Sequence, residues 1–240
     1  MAIWALADLH LSKSTPSKDM AIFGPSWEGY MDKIEEHWKK KISKDDLVLL
    51  PGDISWAMKL EEAVIDLNWI DALPGTKVMI RGNHDYWWSS NKKMQEKLPP
   101  SISFIHNNAF HWKGVAVGGS RLWDTPEYHF SLDEKDEATL LSEADLLIFE
   151  KELIRLEHSL KEMDQTSSLK IVMTHYPPIG LNLKESRVSN LLEKFNINMC
   201  VFGHLHHLKR RAHVFGERNG IHYFLTAADY LEFEPLLLIP

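Results

Sequence analysis

Histidine, carboxylate and amide side chains follow five short apolar runs of this sequence, at the point where each run ends. Asp8-Leu9-His10 follows the first run, Gly52-Asp53 the second and Gly82-Asn83-His84-Asp85 the third. Thr174-His175 and Gly203-His204-Leu205-His206 end two later runs. Mixed oxygen and imidazole ligands suit Mn, Fe or Zn, and no thiolate is at hand to favour a softer ion. The pattern therefore predicts metal chemistry.

The number and spacing of these donors favour two metal ions over one. Asp8 and His10 are two residues apart, so in an extended chain both side chains point to the same side, and His204 and His206 repeat that spacing. The full set has seven oxygen and nitrogen donors: Asp8, His10, Asp53, Asn83, His175, His204 and His206. Two ions roughly 3.5–4 Å apart, bridged by one carboxylate, would use all of them.

Buried strands must carry these donors if the donors are to converge. Short apolar runs bounded by Gly, Pro or polar residues predict such strands over Ile3–Ala7, Leu47–Leu50, Lys77–Ile80, Val115–Gly118, Ile171–Thr174 and Met199–Phe202. Apolar residues at helical spacing predict helices over Tyr30–Ile42, Leu60–Leu73, Leu146–Met163 and Val188–Phe195. Ser101–Gly119 and Ala212–Pro240 show no helical pattern, so we expect hairpins or meanders there. The alternation of strands and helices indicates an α/β fold with parallel pairings, which binds ligands at strand carboxyl ends.

Charge and composition narrow the function classes. The chain of 240 residues has a formal net charge of −7, which argues against a nucleic-acid binder with a broad basic surface. Its one cysteine, Cys200, cannot form an intramolecular disulfide, and its apolar neighbours predict a buried, inert thiol. No run approaches the roughly 20 apolar residues of a membrane span, and the N-terminus lacks the basic start of a signal peptide. We expect a cytoplasmic protein with residues 1–240 in a single domain.

Taken in order, the motifs D-x-H, G-D, G-N-H-D, H and G-H-x-H resemble those of the calcineurin-like metallophosphoesterases. The resemblance runs from Asp8 to His206. It implies an α/β fold of two stacked mixed β-sheets flanked by helices, a four-layer αββα sandwich. It also implies a dinuclear metal site at the strand ends.

The resemblance further implies a role for each donor. It matches the first metal to Asp8, His10 and His206, and the second metal to Asn83, His175 and His204. Asp53 matches the bridging carboxylate, and His84 matches a residue that contacts phosphate and protonates the leaving group. Such a site would hydrolyse a phosphate mono- or diester by in-line attack of a metal-bridging hydroxide. The expected cofactors are two divalent ions, with Mn, Fe and Zn as candidates. The expected substrate is a small phosphate ester, with nucleotides among the candidates.

Two alternative functions stay open. One is a nuclease of the same superfamily, which the net charge disfavours. The other is a non-catalytic regulatory protein that binds metal, which the complete donor set disfavours. The chain also departs from the protein Ser/Thr phosphatases of this superfamily, since Ile54-Ser55-Trp56-Ala57 follows Asp53 where those enzymes carry a phosphate-gripping Arg. This departure disfavours a phosphoprotein substrate.

Several residues outside the motifs could also take part. Trp56, Trp87, Trp88 and Trp123 could form an aromatic wall for a flat leaving group, although we expect at least half of them to pack in the core. Arg121 and Asp124 could reach the site. Lys209-Arg210-Arg211 could steer an anionic substrate, although a solvated turn is the preferred interpretation.

Overall fold

A computed structural model of the chain describes residues 1–128, 130, 141–206, 208 and 215–240. Lys209, Arg210 and Arg211 lie outside the described residues, and so do residues 212–214 of the predicted C-terminal hairpins. In chain order the elements are β1 (Ile3–Ala5), α1 (Tyr30–Lys41), β2 (Leu47–Leu50), α2 (Leu60–Asp71), β3 (Thr76–Met79), α3 (Asn91–Lys97), β4 (Ile102–Phe104), β5 (Phe110–Trp112), β6 (Val115–Ser120), α4 (Glu143–Glu162), β7 (Leu169–Thr174), α5 (Arg187–Lys194), β8 (Met199–Phe202), β9 (Glu217–Arg218), β10 (Ile221–Leu225) and β11 (Leu236–Ile239).

Within the described ranges these strands form two sheets. The first sheet has five strands in the order β11-β1-β2-β3-β4, and the second has six in the order β5-β6-β7-β8-β10-β9. In the first sheet β1 to β4 pair in parallel and β11 is antiparallel to β1. In the second sheet β6, β7, β8 and β10 pair in parallel, and β5 and β9 are antiparallel edge strands. Each sheet therefore gathers the carboxyl ends of several parallel strands at one edge.

The strands are apolar on both faces because each sheet is covered on both sides. In β2, Val48 and Leu50 pack against the helices of the first sheet, where Trp38 of α1 and Leu67 of α2 are fully buried. Leu49 faces the other way, into an apolar layer between the sheets. The outer face of the second sheet packs on residues of α4 and α5. The predicted fold of two stacked mixed sheets flanked by helices is thus confirmed.

The predicted strands and helices all occur, with ends that differ by a few residues. The largest difference is at α4, which begins at Glu143 and not at Leu146. Ser142 caps this helix, since its hydroxyl accepts the backbone N–H of Asp145. The first turn therefore contains acidic residues that lie outside the apolar periodicity. No helix of the described residues combines the length and apolar character that a bilayer span requires.

Two features of the fold were not predicted. Helix α3 has the sequence NKKMQEK, in which Met94 is the single apolar residue and is fully buried. One apolar position sets no periodicity, so the pattern of the sequence did not reveal this helix. The chain also crosses between the sheets after β4, because β4 pairs with β3 and β5 pairs with β6. Only the β5–β6 part of Ser101–Gly119 is a hairpin.

Candidate metal centre

The seven predicted donors converge where the carboxyl ends of the parallel strands of the two sheets meet. Loops of the first sheet carry Asp8, His10, Asp53 and Asn83, and loops of the second carry His175, His204 and His206. We call Asp8, His10 and His206 the first cluster, and Asn83, His175 and His204 the second cluster. Ligand atoms of Asp8, His10 and His206 lie within 4.8 Å of one another. The same holds for ligand atoms of Asp8, Asp53 and His175.

In the first cluster two imidazole nitrogens point at each other. His10 Nε2 lies 3.3 Å from His206 Nε2, and His206 Nε2 lies 3.8 Å from Asp8 Oδ1. Neighbouring ligand atoms on a divalent ion, with bonds of about 2.1 Å, lie about 3.0–3.5 Å apart. The spacing of these atoms is close to that of a coordination shell. Asp229 Oδ1 lies 3.0 Å from His206 Nδ1, so that in the neutral ring the proton is held on Nδ1 and Nε2 carries the lone pair.

The second cluster is built around Asn83. Its Oδ1 lies 2.6 Å from His175 Nε2 and 3.1 Å from His204 Nδ1. His175 Nδ1 lies 3.0 Å from the carbonyl oxygen of Pro51, so the backbone of the loop after β2 orients this ring. These contacts direct His175 Nε2, His204 Nδ1 and an amide oxygen toward one point.

Asp53 reaches both clusters with one carboxylate oxygen. Its Oδ2 lies 3.7 Å from His10 Nε2 in the first cluster and 3.4 Å from His175 Nε2 in the second. Its other oxygen, Oδ1, accepts the backbone N–H of His84 at 2.8 Å. The side chain is 1% exposed, so it is held between the clusters without contact to bulk water.

The donors adopt a strained backbone. Asp8, His10, Asp53 and His204 all have positive φ, at 57°, 45°, 53° and 72°. Each such non-glycine residue costs of order 1 kcal/mol or more, and such strain is concentrated at functional sites. The expectation that each D-x-H or H-x-H pair points its side chains to one side of an extended chain is therefore wrong. Asp8 and His10 converge through left-handed turns.

Hydrogen bonds between loops hold these turns in place. The N–H of Asp8 donates to Gly52 O at 3.0 Å, and that of His10 donates to Asp53 O at 2.9 Å. The N–H of His204 donates to the Asp8 carboxylate, 3.0 Å from Oδ2. The loops after β1, β2 and β8 thus fix one another.

Glycines give the donors room. A Cβ at Gly82 would lie 2.1 Å from Asp53 Oδ1, and a Cβ at Gly203 would lie 2.3 Å from Asp8 Oδ2. Real side chains do not approach so closely, so no other residue fits either position as it stands. At Gly52 the φ of 91° adds a conformational requirement. Gly82 and Gly203 are thus required for close approach, and Gly52 for its backbone conformation as well.

The buried carboxylates of Asp8 and Asp53 attract positive charge. Burial raises the pKa of Asp8 to about 7, against the attraction of His206 and His175. Burial acts in the same direction on Asp53, but there the attraction of His175 and His10 outweighs it and holds the pKa below its usual range. The imidazoles respond in turn. Burial opposes a charge on His175, yet Asp53 and Asp8 raise its pKa to about 9.

The remaining imidazoles divide into two types. Burial lowers the pKa of His10 to about 3, and burial together with His175 lowers that of His204 to about 3. Both rings are therefore neutral, as a metal ligand must be. His206 resembles His175, because Asp229 and Asp8 overcome burial and raise its pKa to about 9. The carboxylates attract positive charge, which either protons or divalent cations could supply. Because the donors form two clusters, the residues present fit two cations.

His84 lies beside the clusters with one polar atom free for a ligand. Its ring centroid lies 4.7 Å from the Trp56 ring and 5.7 Å from the His10 ring. Its Nδ1 is buried and has no hydrogen-bond partner in the described part of the chain. Burial lowers the pKa of His84. The geometry places this imidazole where it could contact a group bound at the first cluster.

The four tryptophans separate into different surroundings. Trp56 stacks on the His10 ring, with centroids 4.9 Å apart and planes at 22°. Trp87 is buried, and Trp88 packs against it. The Trp123 ring lies 5.1 Å from that of Tyr176. Among them Trp56 is therefore the one whose ring contacts the rings of His10 and His84.

Asp85 joins the loops that carry Asp53 and Asn83. Its carboxylate accepts the backbone N–H groups of Ile54, Ser55 and Gly82 and the Trp87 indole N–H, at 2.7–3.2 Å. Burial and the nearby Asp53 raise its pKa to about 6, against the pull of those N–H groups. Its contacts are those of a support.

Sequence reasoning missed three residues around the donors. Asp229 orients His206, as described above. The Tyr176 ring lies 4.0 Å from that of His204, and the Trp27 ring lies about 6 Å from those of His10 and His206, at 6.1 and 6.0 Å. Tyr176 directly follows a donor, which could have marked it. Trp27 and Asp229 belong to no motif, and nothing in their sequence surroundings marks them.

Comparisons with known proteins show the family of the chain. The family model described as calcineurin-like phosphoesterase matches residues 1–208. The curated Gene 66 protein of Mycobacterium phage D29 is 32% identical over 84 residues, which is 35% of this chain. The match covers 40% of the phage protein, so the chain matches less than half of the length of that relative.

Solved structures with a similar fold share little sequence. The Plasmodium protein GAP50, described as the anchor in the inner membrane complex, superposes with a TM-score of 0.54 at 12% identity, over 95% of this chain and 72% of that chain. The Bacillus subtilis calcineurin-like phosphoesterase YfkN gives a TM-score of 0.49 at 13% identity, over 94% and 80%. The Aquifex aeolicus protein AQ665, of unknown function, gives 0.47 at 16% identity, over 98% and 95%. The GAP50 likeness is one of fold alone.

Proposed function

The chain belongs to the calcineurin-like phosphoesterase family, and we propose that it hydrolyses a phosphate mono- or diester with two divalent cations held by its seven donors. The observation that carries the proposal is the position of Asp53. Because Asp53 Oδ2 lies 3.7 Å from His10 Nε2 and 3.4 Å from His175 Nε2, one carboxylate can serve both clusters. Mn, Fe and Zn are the candidate ions, and Mn is the first to test.

The proposed roles follow from the contacts of each side chain. Asp8, His10 and His206 would hold one cation, Asn83, His175 and His204 the other, and Asp53 would bridge them. Two divalent cations, when bound, make water nucleophilic near neutral pH and offset the charge of a phosphate. Asp229 and the Pro51 carbonyl keep His206 and His175 oriented, and the backbone strain at four donors pre-organises the site.

His84 is proposed to contact the phosphate and to protonate the leaving oxygen. Its backbone N–H donates to Asp53 Oδ1 and its ring lies against Trp56, so the imidazole is positioned before substrate arrives. Burial lowers the pKa of His84. A phosphate anion beside the ring would raise that pKa again, so that substrate binding itself would bring the proton that the leaving group needs.

The substrate class we propose is a small phosphate ester, with nucleotides among the candidates. The test is a screen of the full chain, stripped of metal and reconstituted with Mn, Fe or Zn, against a phosphomonoester, a phosphodiester, cyclic nucleotides and DNA. We expect metal-dependent hydrolysis of at least one small ester, and its loss in Asp53→Asn. Cleavage of DNA alone would favour the nuclease. Two bound ions without hydrolysis of any ester would favour the non-catalytic alternative.

A second experiment separates proton transfer from metal binding. His84→Ala should retain both metals, since the side chain of His84 belongs to neither cluster. A nitrophenolate leaves readily without a proton, so the defect on its ester should be small. An alkyl ester needs the proton and should lose about 10²–10⁴-fold in rate. Equal losses on both esters would restrict His84 to charge stabilisation, and loss of a metal would make it a ligand.

A further inference from the structure

A second pocket at the same edge of the sheets gathers three arginine side chains. Arg81 follows β3, Arg121 follows β6 and Arg155 lies on α4. His106, in the crossing from β4 to β5, also lines the pocket. None of the seven donors is among its lining residues in the described part of the chain. The pocket is therefore adjacent to the metal centre and distinct from it.

The charges in this pocket are unbalanced. Glu152, whose side chain is 4% exposed, accepts Arg121 Nη2 at 3.3 Å and Arg155 Nη1 at 2.6 Å. Arg81 makes no hydrogen bond or ion pair in the described part of the chain, and its Nε is buried without a partner. The Nε of Arg121 is buried without a partner too. Glu152 is thus the one carboxylate among the described lining residues, and it pairs with two of the three guanidinium groups. Asp85 also attracts Arg81, from outside the lining.

An anion would relieve this imbalance. Burial and the like charge of Arg121 both disfavour the charge of Arg81. Burial and then Arg155 lower the pKa of His106, which disfavours a further positive charge on this imidazole. Buried charges without partners are costly, and planar guanidinium groups are suited to bidentate contacts with phosphate. The cavity of about 20 Å³ has room for one phosphate oxygen, so the rest of a phosphate group would lie at its open side.

A continuous set of contacts connects this pocket with the second cluster. The carbonyl of Arg121 accepts the N–H of His175 at 3.2 Å and that of Tyr176 at 3.0 Å. The Arg121 guanidinium lies 4.5 Å from the Trp123 ring, which contacts Tyr176, and Tyr176 contacts His204. In the other sheet, Arg81 is two residues from the donor Asn83.

We propose that the arginine pocket binds a second phosphate of the substrate while the metal centre holds the phosphate that is hydrolysed. The substrate class would then be a phosphate ester that carries a further phosphate group, joined by a linker that passes the partly exposed Trp123 ring. This inference rests on the proposed function, because it assigns the substrate of that same centre.

The test compares matched substrates on the metal-replete enzyme. Alkanediol bisphosphates with two to six carbons are assayed beside the hydroxyalkyl monophosphates of equal length. We expect one linker length at which the bisphosphate has a KM at least about tenfold below that of its monophosphate, since charge-assisted hydrogen bonds contribute that much. Arg81→Gln and Arg121→Gln should reduce this ratio of KM values to within about threefold of unity, and Arg81→Lys should restore part of it.

Two further variants guard against a folding artefact. Arg155→Gln alters a side chain that is 41% exposed, so it should fold and still reduce the ratio. Arg187→Gln is the matched control, because Arg187 also pairs with a glutamate of α4, Glu150, outside the pocket. It should leave the ratio as in the unaltered enzyme.

The outcomes separate the pocket from the proposed function. Hydrolysis of the monophosphates with no bisphosphate advantage at any length would overturn the pocket alone. An advantage that survives all three glutamine variants would overturn it as well, even if free phosphate binds there. If no ester is hydrolysed, the proposed function fails. Calorimetric binding of the bisphosphates to the metal-replete chain, weakened in Arg81→Gln but not in Arg187→Gln, would then still support the pocket, and equal binding would overturn it.

Discussion

The two donor clusters share Asp53 but are anchored by different kinds of group. In the first cluster the His206 side chain is 25% exposed, and the carboxylate of Asp229 orients it. In the second cluster His175 is fully buried and a backbone carbonyl, that of Pro51, orients it. A side-chain anchor can be removed by substitution, and at a partly exposed ring water competes with it for the hydrogen bond. A buried backbone anchor stays in place as long as the loop is folded. We therefore expect the first cluster to lose its cation more readily.

The largest effect should come from a substitution of Asp53, the residue that the two clusters share. Asp53→Asn removes the carboxylate oxygen that both clusters approach. A partner that merely orients a ligand is worth about 10–100-fold in metal affinity or activity, so we expect a loss of at least about 10³-fold in activity here. Elemental analysis should find both cations depleted in a folded protein. Two full equivalents of metal in this variant would contradict the bridging role.

A substitution at Gly203 should affect the first cluster and spare the second. In Gly203→Ala the new Cβ would lie 2.3 Å from Asp8 Oδ2, so Asp8 must move out of the first cluster. We expect loss of one cation of two, an activity loss of about 10²-fold and a decrease of about 1–3 kcal/mol in the free energy of unfolding. Gly216→Ala is the control, since a Cβ there meets no heavy atom within 4 Å. Retention of both cations would show that Asp8 is not confined as the structure indicates.

A smaller and more selective effect should come from the anchor of the first cluster. Asp229→Asn keeps a hydrogen-bond acceptor beside His206 but removes its charge, which is one of the causes that raise the pKa of His206. We expect affinity for the first cation to fall by about 10–100-fold and affinity for the second to be unaffected. Stepwise metal titration measures both. Asp164→Asn, in an exposed turn, is the matched control. Equal weakening of both sites would refute separate anchoring.

The smallest effect should come from the aromatic cover of the first cluster. In Trp56→Leu the ring that stacks on His10 is lost, while the ligand set stays complete. An aromatic pair contributes about 0.5–1.5 kcal/mol, so affinity for the first cation should fall by about tenfold at most. Trp88→Leu, which removes a ring packed on Trp87 and away from the donors, should leave the affinity unchanged. A larger loss in Trp56→Leu would mean that the ring also shields the cation from water.

Much of this centre could be predicted from the sequence because its donors occur in short motifs behind apolar runs. Asp8 and His10, or His204 and His206, are neighbours in the chain wherever the fold places them. Buried parallel strands need uninterrupted apolar residues, so runs such as Leu47–Leu50 mark the strands and their ends directly. The fold class followed from the alternation of elements and from the order of the motifs.

The sequence by itself therefore determined which residue types stand at the strand ends and how the strands alternate with helices. Tertiary structure alone decided the anchors and the second pocket. Asp229 meets His206 across 23 residues, and Arg121 meets Glu152 across 31, with no pattern in the chain to pair them. It also decided the left-handed backbone of Asp8 and His10, because their N–H groups donate to the carbonyls of a neighbouring loop and hold a conformation that neither residue would adopt alone.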